Sequence, residues 1–362
     1  MIGRITYMEL RTGLKGLLIF CLLITVVATA MPLIFPAYRD SLTEELEGAN
    51  NVNLELPTEE GDMITLSWEP LEMATGYMVL EDNRSSMVTA KIKYVGTETR
   101  ITFEKDFEER RYYAVLAETA ETVDMVLIGV ASTEKGDDPF QDLINNPAYA
   151  GLTGGRNISI LEPKGFIALE FFSWWWMLAG LFIAYQSVSV IAGDFENKRM
   201  DVMLSTPISR RRYLLEKFGA MSIIALLIIL VATGGLIAGI ANIDALNEFG
   251  AETVFLSLVG CLPFLMAVSA VGIFTAVFFQ KTRVGMGVSF AFVIGEFFIY
   301  TFGNFSKSLE WMKSVSIFNY WDYSSVIFDN MFEVGDFVLL AAVAIAIVII
   351  SIWVFEKKDI PT

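Results

Sequence analysis

The hydrophobic pattern of the chain consists of six long apolar runs separated by polar segments. A helix of about 20 residues, rising 1.5 Å per residue, crosses the roughly 30 Å hydrocarbon core of a bilayer. Each run therefore predicts one membrane-spanning helix. Pro32 and Pro36 lie where a signal-peptide cleavage site would follow the first run, so this run is expected to be a retained span. The runs cover about 14–35, 172–193, 219–241, 253–279, 284–303 and 336–355.

A second pattern fills part of the long loop between the first two runs. Between residues 52 and 134, short stretches alternate apolar and polar positions, which is the two-residue period of a β-strand. Strands at this spacing, separated by turn residues, predict a β-sandwich. The stretches are 63–68, 76–81, 89–95, 99–104, 111–117 and 123–130.

These patterns together predict a polytopic α-helical membrane protein of six transmembrane helices with an inserted all-β sandwich. The expected parts are 1–35, an N-terminal helix and the first span; 36–171, a loop with the sandwich at about 52–134; and 172–362, the other five spans. Three consecutive tryptophans, Trp174 to Trp176, are expected at the membrane boundary, where aromatic side chains are enriched.

Composition narrows the chemistry. Of 362 residues, 54% are hydrophobic and 19% are charged, against about 45–50% and 25% in a soluble domain. The chain has no histidine, which excludes zinc sites built on histidine, Ser–His triads and Cys–His dyads. Cys21 and Cys261 lie in apolar runs and are expected to be buried thiols. No cofactor and no metal are expected in this chain.

The distribution of charge predicts the orientation. The segment before the first span, the segments after spans two and four, and the tail together carry thirteen basic and seven acidic residues. The opposite segments carry thirteen basic and thirty-four acidic residues. Basic residues accumulate in short cytoplasmic segments, so both termini are expected in the cytoplasm and loop 36–171 outside. This describes a multi-pass protein of the cell membrane, with lipid around it and, at net charge −16, no nucleic-acid partner.

The predicted sandwich carries a moderately specific motif. Trp68 closes the strand 63–68, Gly76-Tyr77 opens the next, and Tyr113 begins the stretch Tyr-Ala-Val-Leu-Ala. This pattern resembles a fibronectin type III domain over about 80 residues. The resemblance implies that Trp68, Tyr77 and Tyr113 are core residues of the sandwich. Its position suggests an extracytoplasmic partner, although no residue points to a binding face.

The segment after the second span is the most informative polar segment. Met200, Met203 and Leu204 share one face of a short predicted helix, which Pro207 ends. Basic residues follow from Arg210. Periodicity alone also fits a basic loop that touches lipid headgroups.

This segment resembles the signature of permease subunits in the ABC-2-type transporter family. Asp194, the run Leu204-Ser-Thr-Pro-Ile-Ser-Arg210 and Lys217 match the family pattern, whereas Lys198-Arg199 and Glu216 replace its usual glycine-containing positions. Helix 3–14 resembles the family's N-terminal elbow helix. The tail from Phe355 to Ile360 resembles its usual ending.

The resemblance implies a transport subunit that is not itself an enzyme. A separate ATPase subunit would bind ATP, in keeping with the absence of a phosphate-binding G-x-x-x-x-G-K-[ST] loop. A second permease copy or a paralogue would complete a dimeric exporter. The coupling helix at about 194–210 would contact the ATPase, and the residues assigned to this coupling are Asp194, Met200, Met203, Leu204, Pro207, Arg210, Arg211 and Lys217.

Two features within the spans have two interpretations each. Glu296 is the one ionisable residue expected deep in a span, where such residues are costly and often functional. It either provides a cation or proton contact in the pathway, or the fifth span is shifted so that Glu296 lies near water or pairs with a neighbouring polar group. The sequence Gly235-Leu-Ile-Ala-Gly239 is a small-xxx-small pattern. It packs either within the chain or against a second copy.

Two other classes of protein compete with the transporter. A membrane-anchored adhesion or receptor protein would use the sandwich to bind a partner, but it would need only one span. An intramembrane aspartyl enzyme would need two facing acids within the spans, and only Glu296 qualifies. The sequence does not identify a cargo.

Overall fold

A computed structural model of the chain describes residues 3–48, 52–55, 63–71, 74–82, 90–104, 111–119, 126–132, 158, 160, 162–200, 208–305 and 307–358. The chain forms two compact units. One comprises Met1–Phe35 with Pro147–Thr362, and the other comprises Pro36–Asn146. The first contains the apolar helices, and the second contains the strands.

Within the described residues, six helices are long and apolar enough to cross a membrane. An amphipathic helix, α1 (Arg4–Thr12), precedes them. The six are α2 (Leu14–Gly48), α3 (Pro163–Glu196), α4 (Arg210–Asn242), the pair α6 (Ala251–Val259) and α7 (Leu262–Phe279), α8 (Thr282–Gly303) and α11 (Val334–Lys357), with the short helix α5 (Leu246–Phe249) after α4.

Helix α2 continues beyond the predicted end of the first span. Pro32 and Pro36 lie inside it, and the helix runs on to Gly48. Proline removes one backbone hydrogen bond and usually kinks a helix, but neighbouring helices help to accommodate it in membrane spans. Here Pro32 packs beside Gly239 of α4, where a missing side chain leaves room for it.

Helix α3 begins before the predicted second span. It starts at Pro163 and contains two π-helical turns, Ala168–Phe172 and Trp176–Gly180. The three tryptophans differ in exposure. Trp175 and Trp176 are buried within the helical unit, and Trp174 is exposed, because α3 extends beyond them and packs against its neighbours.

The second unit contains two antiparallel sheets. Strands β1 (Val52–Glu55), β2 (Met63–Trp68) and β5 (Arg100–Glu104) form one sheet in the order β1-β2-β5. Strands β3 (Ala74–Asp82), β4 (Lys91–Gly96), β6 (Tyr112–Thr119) and β7 (Val126–Ser132) form the other in the order β4-β3-β6-β7. The chain thus has the small β region that the alternating pattern predicts.

The core of this unit contains the three aromatic residues singled out in the sequence. Trp68, Tyr77 and Tyr113 are all buried and belong to one apolar cluster. The rings of Trp68 and Tyr77 meet edge to face at 5.6 Å. The Tyr113 hydroxyl donates a hydrogen bond to Glu81 Oε1 at 3.1 Å, which satisfies its polar end within the packed region.

Short helices follow α8 and fold back against the spans. They are α9 (Trp311–Val315), a 3₁₀ turn (Ile317–Tyr320) and α10 (Tyr323–Asp329). Trp321 donates from Nε1 to the Ser257 carbonyl at 3.2 Å, and Tyr323 stacks on Phe172. Desolvation raises the pKa of the Tyr323 phenol well above its ordinary value, so this hydroxyl stays protonated at neutral pH.

Small residues bring α4 and α2 close together. A Cβ built on Gly239 would lie 2.6 Å from the Thr29 carbonyl oxygen, and one on Gly235 would lie 3.1 Å from Ala28 Cβ. Thr29 also donates from Oγ1 to the Gly235 carbonyl at 3.2 Å. The small-xxx-small pattern therefore packs within the chain, which is the first of its two interpretations.

Candidate coupling site at the charged end of the helices

Four helices of the first unit meet where α3 ends and α4 begins. Ser209 caps α4, with its hydroxyl accepting from the Arg212 amide at 3.3 Å. Serine is a favoured cap because it satisfies one of the free amides of the first turn. The cap fixes the start of α4, so that the side chains of its first two turns face α1, α3 and α11.

Lys217 is the centre of this region. Its side chain is fully buried, and its three ammonium protons have three acceptors. These are Glu9 Oε1 of α1 at 2.6 Å, the Val190 carbonyl of α3 at 2.7 Å and Asp194 Oδ2 of α3 at 2.8 Å. The Tyr213 hydroxyl also donates to Asp194 Oδ2, at 2.7 Å. The ammonium thus ties α1, α3 and α4 together, and the two carboxylates share its one positive charge.

A second set of contacts fixes α1 on α4. Glu216 Oε2 accepts from the Ile5 amide at 2.9 Å, and the Thr6 hydroxyl donates to the Glu216 carbonyl at 3.0 Å. Arg212 Nε donates to Glu216 Oε1 at 2.8 Å. The Ile5 amide belongs to the first turn of α1, where amides lack helical partners. The carboxylate of Glu216 therefore acts as an external cap for α1.

The start of α4 also holds the end of α11. Arg210 Nη1 donates to the carbonyls of Phe355 at 2.7 Å and Lys358 at 2.9 Å. Arg211 forms a two-pronged pair with Glu356, at 2.5 and 3.1 Å. Carbonyls in the last turn of a helix lack helical partners and carry partial negative charge. Arg210 supplies the cation there and thereby joins the last span to this region.

The structure does not begin a separate helix at Asp194, where the predicted coupling helix starts. Asp194 belongs to α3, which ends at Glu196, and a turn follows in which Lys198 has a positive φ of 56°. The chain is helical again at Arg199 and Met200, and the Met200 side chain is buried. The left-handed residue at Lys198 ends α3 and redirects the chain.

The structure divides the predicted coupling residues into two groups. Asp194, Met200, Arg210 and Lys217 are placed by contacts or burial within this chain, and Arg211 pairs with Glu356 although its side chain is 69% exposed. Met203, Leu204 and Pro207 lie outside the described residues.

Sequence reasoning did not assign Glu9 and Glu356 to this region. Each of these residues pairs with a residue far away along the chain, Glu9 with Lys217 and Glu356 with Arg211. One sequence signal could have found them, namely the charged residues that flank the apolar runs. A buried lysine near the start of a span requires an acidic partner, and these flanking residues are the candidates. Among the described residues, no group of three potential metal ligands comes together.

Glu296 lies in α8 beside the short helices rather than near this region. Its Oε2 accepts from the Ile317 amide at 3.1 Å, and its carbonyl accepts from the Ser316 hydroxyl at 2.9 Å. Ile317 begins the 3₁₀ turn. The carboxylate therefore has a polar neighbour, as the second interpretation of Glu296 expects, and it connects the short helices to the span.

The geometry describes a helical membrane unit with a charged region at the junction of four helices. Residues 6–360 match the family model described as ABC-2 family transporter protein. Comparison with curated proteins and with solved structures gives no match. Since the match covers nearly the whole chain, this protein belongs to the ABC-2 transporter family, as the motif around 194–217 predicted, and is a membrane subunit of that family.

Proposed function

We propose that this chain is the permease subunit of an ATP-driven exporter, moved by a separate ATPase subunit that docks on the segment between α3 and α4. The observation that carries the proposal is that side-chain contacts fix both ends of this segment to the helices. At one end Asp194 binds Lys217, and at the other Arg210 binds the last turn of α11. A displacement of the segment would therefore act on α1, α3, α4 and α11 together.

The segment has the composition of a docking surface. Met203 and Leu204 would provide apolar contact with the ATPase, and Arg211 would provide a charge that steers encounter. The buried residues Asp194 and Lys217 would position the segment without touching the partner. ATP would be bound and hydrolysed in the partner, and this chain would contribute the force-receiving segment and the spans.

A dimer follows from the same proposal. Six spans provide one half of a pathway, and a second copy or a paralogue would provide the other. Helices α2, α8 and α11 are the least buried of the six within the chain, and they offer apolar surface to lipid or to that second subunit.

We also infer that the termini lie in the cytoplasm and that the β unit lies outside. The positive-inside rule supports this orientation, because basic residues lie just after α3, at the end of α11 and at the starts of α1 and α4. The strand orders β1-β2-β5 and β4-β3-β6-β7 are compatible with a fibronectin type III-like sandwich. Its use would be to bind an extracytoplasmic partner.

The test is co-purification of the chain from its native membrane in mild detergent, with bound proteins identified by mass spectrometry. A variant carrying Met203→Ala and Leu204→Ala removes the proposed docking contacts. Leu215→Ala is the matched control, since Leu215 is an exposed leucine on the first turns of α4. We expect an ATPase with a phosphate-binding loop to accompany the wild-type chain and the control.

The expected loss with the double variant is at least tenfold in ATPase recovered per permease. If no ATPase accompanies any of the three well-expressed chains after crosslinking, the transporter proposal loses its support and the adhesion or receptor alternative gains it. If the ATPase accompanies all three equally, docking occurs elsewhere on the chain.

Glu296 has a separate test of its proposed role in the pathway. Glu296→Gln keeps an oxygen that accepts from the Ile317 amide but removes the charge. Glu296→Ala removes both the charge and the acceptor. If the charge contacts cargo, both variants lose transport-coupled ATPase stimulation. If only the hydrogen bond matters, the glutamine variant keeps it and the alanine variant does not.

A further inference from the structure

A cleft of about 480 Å³ lies beside the Lys217 network, between α1, α3 and α4. This volume falls in the range of roughly 300–1,000 Å³ that small-molecule sites occupy. The cleft is open on one side, and its wall and floor differ in polarity. The wall formed by α3 contains Val190 and Gly193 among polar side chains, and apolar side chains form the floor contributed by α4.

The polar wall is a stripe along one face of α3. Gln186, Ser189 and Gly193 line the cleft at the three- and four-residue spacings of one helix face, and Asn197 lines it just after the helix ends. Neither the Gln186 amide nor the Ser189 hydroxyl has a hydrogen-bond partner among the residues that the structure describes. Unpaired polar groups on a membrane-spanning helix are costly in contact with hydrocarbon. The stripe therefore suits a polar ligand.

The charge exposed to the cleft is that of an arginine. The two carboxylates of the cleft, Glu9 and Asp194, share the single cation Lys217 Nζ at 2.6 and 2.8 Å, and their side chains are only 11% and 8% exposed. Arg199 lines the cleft, is exposed, and has no ion-pair partner within the described ranges. An arginine guanidinium is a typical partner for a phosphate group, because its planar array of donors matches the phosphate oxygens.

The floor and the level of the cleft indicate that the ligand is an amphiphile. Met221 and Ile224 form apolar surface below the polar stripe, and Met8 lines the same cleft. The exposed apolar face of α2 begins immediately after α1, at Leu14 and Leu18. The cleft therefore lies where charged and apolar surfaces of the helices meet, which is the level of phospholipid headgroups.

We propose that this cleft is a binding site for one glycerophospholipid. Its phosphate lies against Arg199, its ester oxygens lie along Ser189 and Gln186 farther back on α3, and its acyl chains begin on Met221 and Ile224. The bound lipid would fill the space between α1 and α3 beside the Lys217 network. The site needs no ATPase, so its failure and the failure of the transport proposal are distinguishable.

The experiment is a titration of delipidated full-length protein in detergent, followed by native mass spectrometry. The probes are dioctanoyl phosphatidylglycerol, dioctanoylglycerol without phosphate, and glycerol 3-phosphate without chains. We expect one phosphatidylglycerol per chain to bind at least tenfold more tightly than either fragment probe. Free glycerol 3-phosphate binding as tightly as the lipid would instead assign the cleft to a soluble phosphate ester and overturn the lipid proposal.

Variants place the binding in this cleft. Arg199→Gln removes the cation, and Ser189→Phe fills the space with an aromatic ring. Each is expected to weaken phosphatidylglycerol binding at least tenfold. Arg283→Gln is the matched control, because Arg283 is an exposed arginine outside the cleft. Unchanged affinity in both cleft variants, or an equal loss in the control, would overturn the proposal.

Discussion

Replacing Lys217 by methionine removes the cation that three helices share. Methionine keeps a similar length and volume, so the main change is electrostatic. The variant leaves Glu9 and Asp194 with side chains only 11% and 8% exposed and without their ammonium partner. Removing one member of a buried ion pair costs about 3–5 kcal/mol, because the remaining charge stays buried and uncompensated. We expect a destabilisation of that size.

The assay is the free energy of unfolding of the purified chain, from a reversible denaturation titration in mixed detergent micelles. Lys281→Met is the matched control, since Lys281 is exposed, and it should change the free energy by less than about 0.5 kcal/mol. A triple variant that adds Glu9→Gln and Asp194→Asn to Lys217→Met removes the uncompensated charges. It should recover at least half of the loss.

The reasoning has a clear point of failure. If Lys217→Met costs less than about 1 kcal/mol, the network does not hold α1, α3 and α4 together. If the triple variant is as unstable as the single variant, the cost comes from packing rather than from buried charge. Either result would remove the physical basis for the proposal that buried charges hold these helices in fixed positions.

Two further predictions concern packing and the β unit. Gly239→Ala places a Cβ 2.6 Å from the Thr29 carbonyl oxygen and should destabilise the chain by about 1–3 kcal/mol in the same titration. Gly234→Ala, which meets no atom within 4 Å, should be neutral or stabilising by up to about 1 kcal/mol, and equal effects would contradict the close approach. Tyr113→Phe removes the hydrogen bond to Glu81 at a cost of about 1–2 kcal/mol, measured as faster limited proteolysis of loop 36–171 in the intact protein. An unchanged proteolysis rate would show that the bond contributes little.

The spans were predictable because each is a continuous apolar run, and its length alone identifies it. The strands were predictable for a similar reason. The stretch 63–68 coincides with Met63–Trp68, and 99–104 differs from Arg100–Glu104 by one residue. Alternation with a buried face specifies both the strand and its orientation in the sheet.

The charged region was predictable only in part. The family motif identified Asp194 and Lys217, but the sequence around each residue does not indicate that they bind each other or that Glu9 is the third member of the network. Such partners are set by how helices pack, and helix packing depends on surfaces rather than on one segment. The same limit explains Trp175 and Trp176, whose burial depends on the helices around α3 rather than on their own neighbourhood.

The two π-helical turns of α3 have a consequence for how this helix tolerates changes in length. Each residue turns an α-helix by about 100°, and a π-turn accommodates roughly one extra residue without changing the faces on either side. A deletion of one residue within Trp176–Gly180 would convert that turn to an α-helical one. The part of α3 that carries Asp194 would keep its face toward Lys217, whereas the same deletion farther along α3, between Gly180 and Asp194, would rotate Asp194 away from it.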